Sequence, residues 1–117
     1  MGDGKRLICD SAQIEERGRG VRFTIEQHGE ALPAFLIRYQ GNVYAYVNRC
    51  AHVGIELDWS EGEFFDFSGL YLICSTHGAT YLPKSGGCVR GPCGGRGGLA
   101  RIAVEESDGK IFLISEQ

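Results

Sequence analysis

Two short segments set the interpretation of this sequence: NRCAH at residues 48–52 and CSTHG at residues 74–78. Each follows a run with the pattern of a β-strand, and each places a cysteine two or three positions before a histidine. A cysteine and a histidine at that spacing can bind one metal atom. The 21 residues between His52 and Cys74 are enough for a hairpin that brings the two segments together. The sequence therefore predicts a metal site with four ligands: Cys50, His52, Cys74 and His77.

The rest of the chain has the pattern of short β-strands separated by glycine-rich turns. In residues 21–27, apolar side chains at Val21, Phe23 and Ile25 alternate with polar ones, as in a half-buried strand. A hairpin is expected at Gly41-Asn42 because glycine and asparagine suit tight turns. Further strands are expected at 33–40, 42–48, 70–73, 79–82, 99–104 and 110–114, with a turn at 107–109 and one helical turn at 11–17. Many short strands with glycine-rich turns predict an all-β sandwich or barrel.

Composition excludes several classes of protein. The 117 residues suit a single domain, 43% of them are hydrophobic and the net charge is −3, so neither disorder nor general nucleic-acid binding is expected. No apolar run has the length of a membrane span, and the N-terminus lacks the apolar segment of a secretory signal. We therefore expect a cytoplasmic protein. In that compartment five cysteines indicate thiols or metal ligands rather than a disulfide framework.

The two Cys/His segments resemble the Rieske signature, Cys-x-His followed by Cys-x-x-His, in which two cysteines bind one iron of a [2Fe–2S] cluster and two histidines bind the other. The resemblance extends to GATY at residues 78–81 and to GGCVRGP at residues 86–92, which is similar to the family's proline loop. It implies an all-β, Rieske-like antiparallel sandwich in a single domain, 1–117, with a small cluster-binding subdomain at about 47–93. It further implies one cluster per chain, with Cys50 and Cys74 on the inner iron and His52 and His77 on the outer.

The sequence departs from the respiratory branch of this family. The extra cysteines that form a disulfide in that branch are replaced by Ile55 and Thr76, and a serine that bonds a bridging sulfide is replaced by Ala79. Tyr81 matches the tyrosine that bonds a ligand cysteine, although a strand tyrosine can equally be a core residue. The chain thus resembles a Rieske-type ferredoxin. That implies a soluble, monomeric one-electron carrier, not itself an enzyme, between a flavin-type ferredoxin reductase and a terminal oxygenase or other oxidoreductase, with no nucleic acid or membrane partner.

Two other functions stay open at this point. The chain could be an electron-transfer or regulatory subunit of a larger redox enzyme, in which the cluster is used for sensing or stability. It could also be a zinc-bound or cluster-free binding domain, although structural zinc motifs more often pair Cys-x-x-Cys with a second knuckle.

The remaining cysteines and the third histidine are given structural roles. Cys88 and Cys93 are expected to be free thiols in the loop over the cluster, with a disulfide or a secondary thiol site as alternatives. Cys9 ends an apolar strand and is expected to be a small buried hydrophobe. His28 lies in a polar turn and is expected to be solvated.

Two surface features allow two interpretations each. Residues 59–67 are aromatic and acidic, and are either a partner surface or, as we favour, a long hairpin packed against the cluster subdomain. Residues 67–104 contain no Asp or Glu, but their basic side chains give a charge of +4, against −7 over the rest of the chain. That basic segment is either a solvated face or a rim that guides an acidic partner toward the histidines. Its basic residues are Lys84, Arg90, Arg96 and Arg101.

Overall fold

The protein is built from ten short strands in a computed structural model that describes residues 5–27, 29–49, 57–58, 62–74, 78–90 and 98–114. The strands are β1 (Lys5–Asp10), β2 (Val21–Gln27), β3 (Glu30–Tyr39), β4 (Asn42–Val47), β5 (Leu72–Ile73), β6 (Thr80–Tyr81), β7 (Cys88–Arg90), β8 (Arg101–Ile102), β9 (Val104–Ser107) and β10 (Lys110–Ile114). They form three sheets with the orders β1-β10-β9, β2-β3-β4-β8 and β5-β6-β7. All pairings within these sheets are antiparallel, which confirms the predicted all-β antiparallel class.

The four-stranded sheet lies between two hydrophobic cores because both faces of β3 are buried. Successive side chains point to opposite faces of a strand. Ala34 and Leu36 pack into one core with Ile25, Val47 and other residues of the β1-β10-β9 side. The intervening residues of β3 pack into a second core, which contains the small β5-β6-β7 sheet: Phe35 and Ile37. The first core holds the base of the sandwich together, and the second attaches the small β5-β6-β7 sheet to that base.

The hairpin between β3 and β4 turns one residue earlier than the sequence predicted. Tyr39 pairs with Asn42, so the two turn residues are Gln40 and Gly41. Both have positive φ, 53° and 85°, as the common two-residue hairpin turn requires. The Glu16 carboxylate accepts hydrogen bonds from both turn amides, and these bonds lower the pKa of Glu16, that from Gly41 most. This support makes Gln40 tolerable at a position that favours glycine or asparagine.

Other predicted elements differ mainly in length. The strands predicted at 21–27 and 110–114 agree with β2 and β10, whereas those at 70–73 and 79–82 shrink to β5 and β6. The strand predicted at 99–104 divides into β8 and the start of β9, and β7 was not predicted. The helical turn predicted at 11–17 contracts to a 3-10 turn at Ser11–Gln13, whose N-cap is Asp10. The turn ends at Gln13 because Ile14, which is buried in the first core, already has an extended backbone with φ −113° and ψ 111°.

Arg38 of β3 connects the four-stranded sheet to the rest of the base. Its guanidinium makes a two-armed ion pair with Glu106 of β9, with Nη2–Oε2 at 2.7 Å and Nη1–Oε1 at 3.1 Å. The same group donates to the backbone oxygens of Ile14, Gly41 and Ser11. The hydrogen bonds that Arg38 donates to the Glu106 carboxylate lower the pKa of Glu106 and raise the pKa of Arg38. The planar Arg38 guanidinium, which has several N–H donors, thus connects two sheets and two turns.

The variant Glu106→Gln should lower the free energy of unfolding at pH 7 by about 1–3 kcal/mol, because a charge-assisted hydrogen bond is lost. The pKa of Glu106 is lower in the folded state, so its contribution is complete above the unfolded carboxyl pKa and is lost as pH falls through the folded value. The difference between wild type and variant should therefore shrink toward acid pH. Chemical denaturation across a pH series measures both effects.

The control for this prediction is Glu105→Gln on the same strand. Glu105 pairs with Lys5 at 3.0 Å, but both side chains are about a third or more exposed. Such a surface pair contributes little, so we expect a change within about 0.5 kcal/mol. Equal effects of the two variants would contradict the role given to Arg38.

Candidate metal centre

Cys74 is the one predicted ligand among the residues that the structure describes; Cys50, His52 and His77 lie outside them. Cys74 follows β5 directly and is fully buried in the second core. It carries a thiol rather than a disulfide. A buried thiolate is costly to desolvate unless a positive partner such as iron lies against it. The position therefore fits a cysteine that binds an inner metal atom.

Backbone hydrogen bonds close the second Cys/His segment at its base. Cys74 N donates to Ala79 O, and Gly78 N donates back to Cys74 O, both at 2.8 Å. Gly78 has a φ of +75°, a conformation that glycine adopts without strain. Residues 75–77, which include His77, are thus spanned by two bonds that fix where the chain leaves β5 and enters β6.

Side chains close the first Cys/His segment. Asn48, fully buried at the end of β4, accepts a hydrogen bond from Leu57 N at 2.9 Å and donates to Asp58 Oδ1 at 3.0 Å. The other oxygen of Asp58 accepts from Gly62 N at 2.9 Å. The chain leaves this hydrogen-bonded group after Asn48, toward Cys50, and returns to it at Leu57. The residues on either side of the first segment are therefore held together.

Close backbone contact closes the third, glycine-rich segment. Gly87 and Gly98 form a β-bridge on either side of residues 91–97, and Leu99 N donates to Gly86 O at 2.8 Å. A Cβ on Gly98 would lie 2.3 Å from Gly86 O, so no side chain fits there. Tyr46 packs beside this contact, where its hydroxyl donates to Pro83 O and burial raises its pKa to about 12.

The bases of the three segments share one core. Leu57 follows the first segment, Cys74 and Ala79 flank the second, and Leu99 follows the third, and all belong to the same buried cluster. The residues that flank the three segments therefore meet in one core, which also contains Cys74 at the end of the small sheet. This arrangement suits a site whose ligands come from separate loops.

Cys88 corrects one expectation. It was predicted to be a free thiol, but the structure has it disulfide-bonded, with its partner outside the described residues. The reducing environment assumed for an intracellular chain led to the wrong prediction for Cys88. Its side chain is buried in the same core as Cys74, and Tyr81 of the neighbouring strand is its register partner. Cys93 lies outside the described residues. Cys9 is buried with a raised pKa, caused mainly by desolvation, which confirms its structural role.

The aromatic and acidic segment at residues 59–67 has both buried and exposed side chains. Phe64 is fully buried and stacks on Phe35 at 3.9 Å between ring centroids, and Phe65 stacks on Tyr39. Packing, as we favoured, therefore explains these two aromatics, whereas Phe67 is fully exposed. Trp59 lies outside the described residues, as does His28.

The basic side chains of residues 67–104 are exposed where the structure describes them. Lys84, Arg90 and Arg101 have exposed side chains, and Arg96 lies outside the described residues. Arg101 packs over the Tyr44 ring at 5.7 Å. Arg90 is the register partner of Thr80, which follows Ala79, so it lies at the end of the small sheet near Cys74. Its role in docking stays a prediction.

Sequence reasoning missed the pair Asn48 and Asp58. Each is polar and nine-tenths or more buried, at 0% and 6% exposure. The available signal was their position, since Asn48 precedes Cys50 by two residues and Asp58 follows an apolar Leu57. Neither residue type is unusual in a loop, so burial alone distinguishes them.

Comparison with known proteins decides the family. The model of the Rieske [2Fe-2S] domain matches residues 5–112. This chain belongs to the Rieske [2Fe-2S] domain family. No curated protein matches the sequence. A Rieske domain holds one [2Fe–2S] cluster, which confirms the predicted cofactor.

Solved structures show the same fold. A chain in the complex of reduced oxygenase and oxidized ferredoxin of carbazole 1,9a-dioxygenase has 21% identity and a TM-score of 0.74, with 99% of this chain and 97% of that chain covered. The terminal oxygenases of carbazole 1,9a-dioxygenase from Nocardioides aromaticivorans IC177 and Novosphingobium sp. KA1 have 23% and 25% identity and TM-scores of 0.78 and 0.75. Each of these two matches covers 98% of this chain but only 31% of the oxygenase chain. In a further oxygenase–ferredoxin complex it covers 29% of the matched chain. In the part of the chain that the structure describes, no helix is long and apolar enough to cross a membrane.

Gly98→Ala in this Rieske domain should lower the free energy of unfolding by about 1–3 kcal/mol, because backbone must move to admit the methyl group. The third loop should then lose its position, and cluster absorbance should fall as well. Thermal unfolding and visible absorbance of the purified protein measure the two effects.

Gly87→Ala, on the other side of the same bridge, is the matched control. A Cβ there would meet only the Ser85 hydroxyl, at 3.3 Å, and Gly87 has no positive φ. We expect near-normal stability and absorbance. A tolerated Gly98→Ala would show that the glycine contact does not set the loop base.

Proposed function

We propose that this Rieske domain is a one-electron carrier that accepts an electron from a flavin-type ferredoxin reductase and delivers it to a terminal oxygenase or other oxidoreductase. In this proposal the chain forms one domain, 1–117, acts as a monomer in the cytoplasm and transforms no substrate itself. One observation supports the proposal most: a match to a chain in an oxygenase–ferredoxin complex covers 99% of this chain and 97% of that chain. The two chains are therefore of similar length, which fits the ferredoxin component of that complex.

The proposed ligands are Cys50, His52, Cys74 and His77, within a cluster-binding part at about 47–93. The burial of Cys74 supports thiolates on the inner iron, with imidazoles on the outer. The cluster supplies one-electron chemistry when bound. The chain contributes the rest: Cys74 and the anchored loop bases hold the ligands in place, and the second core keeps water from the thiolate side. An electron would enter and leave through the histidine side.

A second function is supported by the longer matches. This chain covers 31% of each of the two oxygenase chains above, so a domain of this fold also occurs within longer chains. A domain of this kind can therefore serve as the electron-transfer or regulatory subunit of a larger redox enzyme. A stable complex that survives purification of the native protein would favour this alternative over a shuttle.

Coulometric titration tests the carrier function. The wild-type protein should take up one electron per chain reversibly, and the reduced form should give the Rieske EPR signal. Cys74→Ser should abolish both because a thiolate ligand is lost. Cys9→Ser is the control, since Cys9 is buried in the other core, and it should retain both. Irreversible bleaching of wild type, or a normal signal in Cys74→Ser, would contradict the proposal.

The reduction potential should respond to donors near the cluster. Ala79 is fully buried next to Cys74 and has no side-chain donor. Ala79→Ser supplies a hydroxyl, which would stabilise the more negative reduced state and raise the potential by about 40–90 mV if it gains about 1–2 kcal/mol on reduction. Tyr81→Phe should lower the potential by a similar amount. Protein-film voltammetry measures both shifts, and a lower potential in Ala79→Ser would contradict the assignment.

A further inference from the structure

The pair Asn48 and Asp58 forms a buried polar clamp across the base of the first loop. Asn48 N donates to Pro33 O at 2.8 Å, which ties the clamp to β3. Its side chain then connects to Leu57 N and Asp58 Oδ1, as described above. Asp58 Oδ2 completes the clamp by accepting from Gly62 N, and it lies 3.6 Å from Arg22 Nε of β2.

Each atom of the clamp has one possible hydrogen-bonding role. Leu57 N and Gly62 N can only donate, so the atoms facing them must accept. In the bond between the side chains at positions 48 and 58, one side chain must donate and the other must accept. An amide at 48 and a carboxylate at 58 satisfy all three bonds. Since the side chains are buried, an unsatisfied group here costs more than it would at the surface.

The clamp fixes the two ends of a loop that carries two of the proposed ligands. Asn48 precedes Cys50 by two residues and His52 by four, and Leu57 follows the loop. Residues that orient ligands from outside the coordination shell commonly change metal affinity by about 10–100-fold when they are mutated. A rigid base at both ends limits where Cys50 and His52 can place their donor atoms.

We propose that Asn48 and Asp58 are positioning residues that hold the first loop in its cluster-binding geometry and thereby set how long the cluster is retained. This inference rests on the proposed ligand roles of Cys50 and His52. It goes beyond them because it assigns the retention of the cluster to two residues that do not touch it. The clamp acts through the direction of its three hydrogen bonds, and the carboxylate at position 58 also pairs with Arg22.

An exchange of the two residues separates direction from stability. Asn48→Asp places two carboxylates against each other, and Asp58→Asn leaves the clamp with one acceptor too few. The double variant Asn48→Asp/Asp58→Asn restores all three bonds. Its carboxylate at position 48 accepts from Leu57 N and from the amide at position 58, and the oxygen of that amide accepts from Gly62 N. The double variant has the same composition and net charge as wild type.

The experiment measures the half-life of the holoprotein's visible absorbance in the presence of an iron chelator, together with the EPR spectrum of the reduced form. Each single variant should shorten the half-life by about 10-fold or more and broaden the EPR signal. The double variant should recover most of the half-life and the wild-type spectrum. Glu106→Gln is the stability control, because it breaks a 2.7 Å ion pair in the base far along the chain from the clamp. Its half-life should stay within about twofold of wild type.

The outcomes are distinguishable from failure of the proposed function. A wild-type protein without a Rieske EPR signal would contradict the ligand assignment itself. With that signal present, single variants that keep the wild-type half-life would overturn the clamp. So would a double variant no better than the worse single one, or a Glu106→Gln loss as large as theirs, because each would reduce the effect to general stability.

Discussion

The two-sided burial of β3 is the constraint on which the rest of the structure depends. Four consecutive residues, 34–37, have no exposed surface, which requires a hydrophobic layer on each face of the sheet. One layer is the base of the sandwich and the other contains the small β5-β6-β7 sheet. A one-residue change of register would exchange the two faces and separate both layers from the sheet. The β3–β4 turn at Gln40-Gly41 therefore determines more than a local hairpin.

The second layer brings the residues that flank three loops into one core. Each loop is closed by a different kind of contact: side-chain hydrogen bonds in the first, backbone hydrogen bonds in the second and close glycine contact in the third. Loops usually tolerate change, and sites built on them need support from the rigid elements below. Here that support comes from residues buried in a core that also contains Cys74. A ligand set from separate loops can thus be held without a long element passing through the site.

Much of this was available from the sequence, and the remainder has physical reasons. The alternation in residues 21–27 and the Asp108-Gly109 turn were found because period and turn chemistry are local. The β3–β4 turn was displaced by one residue because Glu16, distant in sequence, supports Gln40 at positive φ. Strand β7 was missed because, among the described residues, it pairs with the short β6 alone. The prediction for Cys88 was wrong because it relied on the reducing environment of the cytoplasm, whereas disulfide formation depends on which cysteines the fold brings together.

The candidate site also has features that the sequence predicts and features that only the fold reveals. The Cys/His spacing is a local signal, and the family to which it pointed is confirmed. The burial of Asn48 and Asp58 is not local, because it depends on how residues 48, 57, 58 and 62 meet in three dimensions. Polar residues near a ligand motif are common in any loop. Their hydrogen-bonding roles become visible only when both ends of the loop are placed.

Pulsed EPR of the reduced wild-type protein tests the proposed ligand set, because it detects nitrogen nuclei bound to the paramagnetic cluster. We expect couplings from two imidazole nitrogens, supplied by His52 and His77, on the iron opposite the thiolates. Two nitrogens lost separately in His52→Cys and His77→Cys would complete the assignment. A reduced cluster with no coupled nitrogen, or bound zinc with no paramagnetic signal, would contradict it.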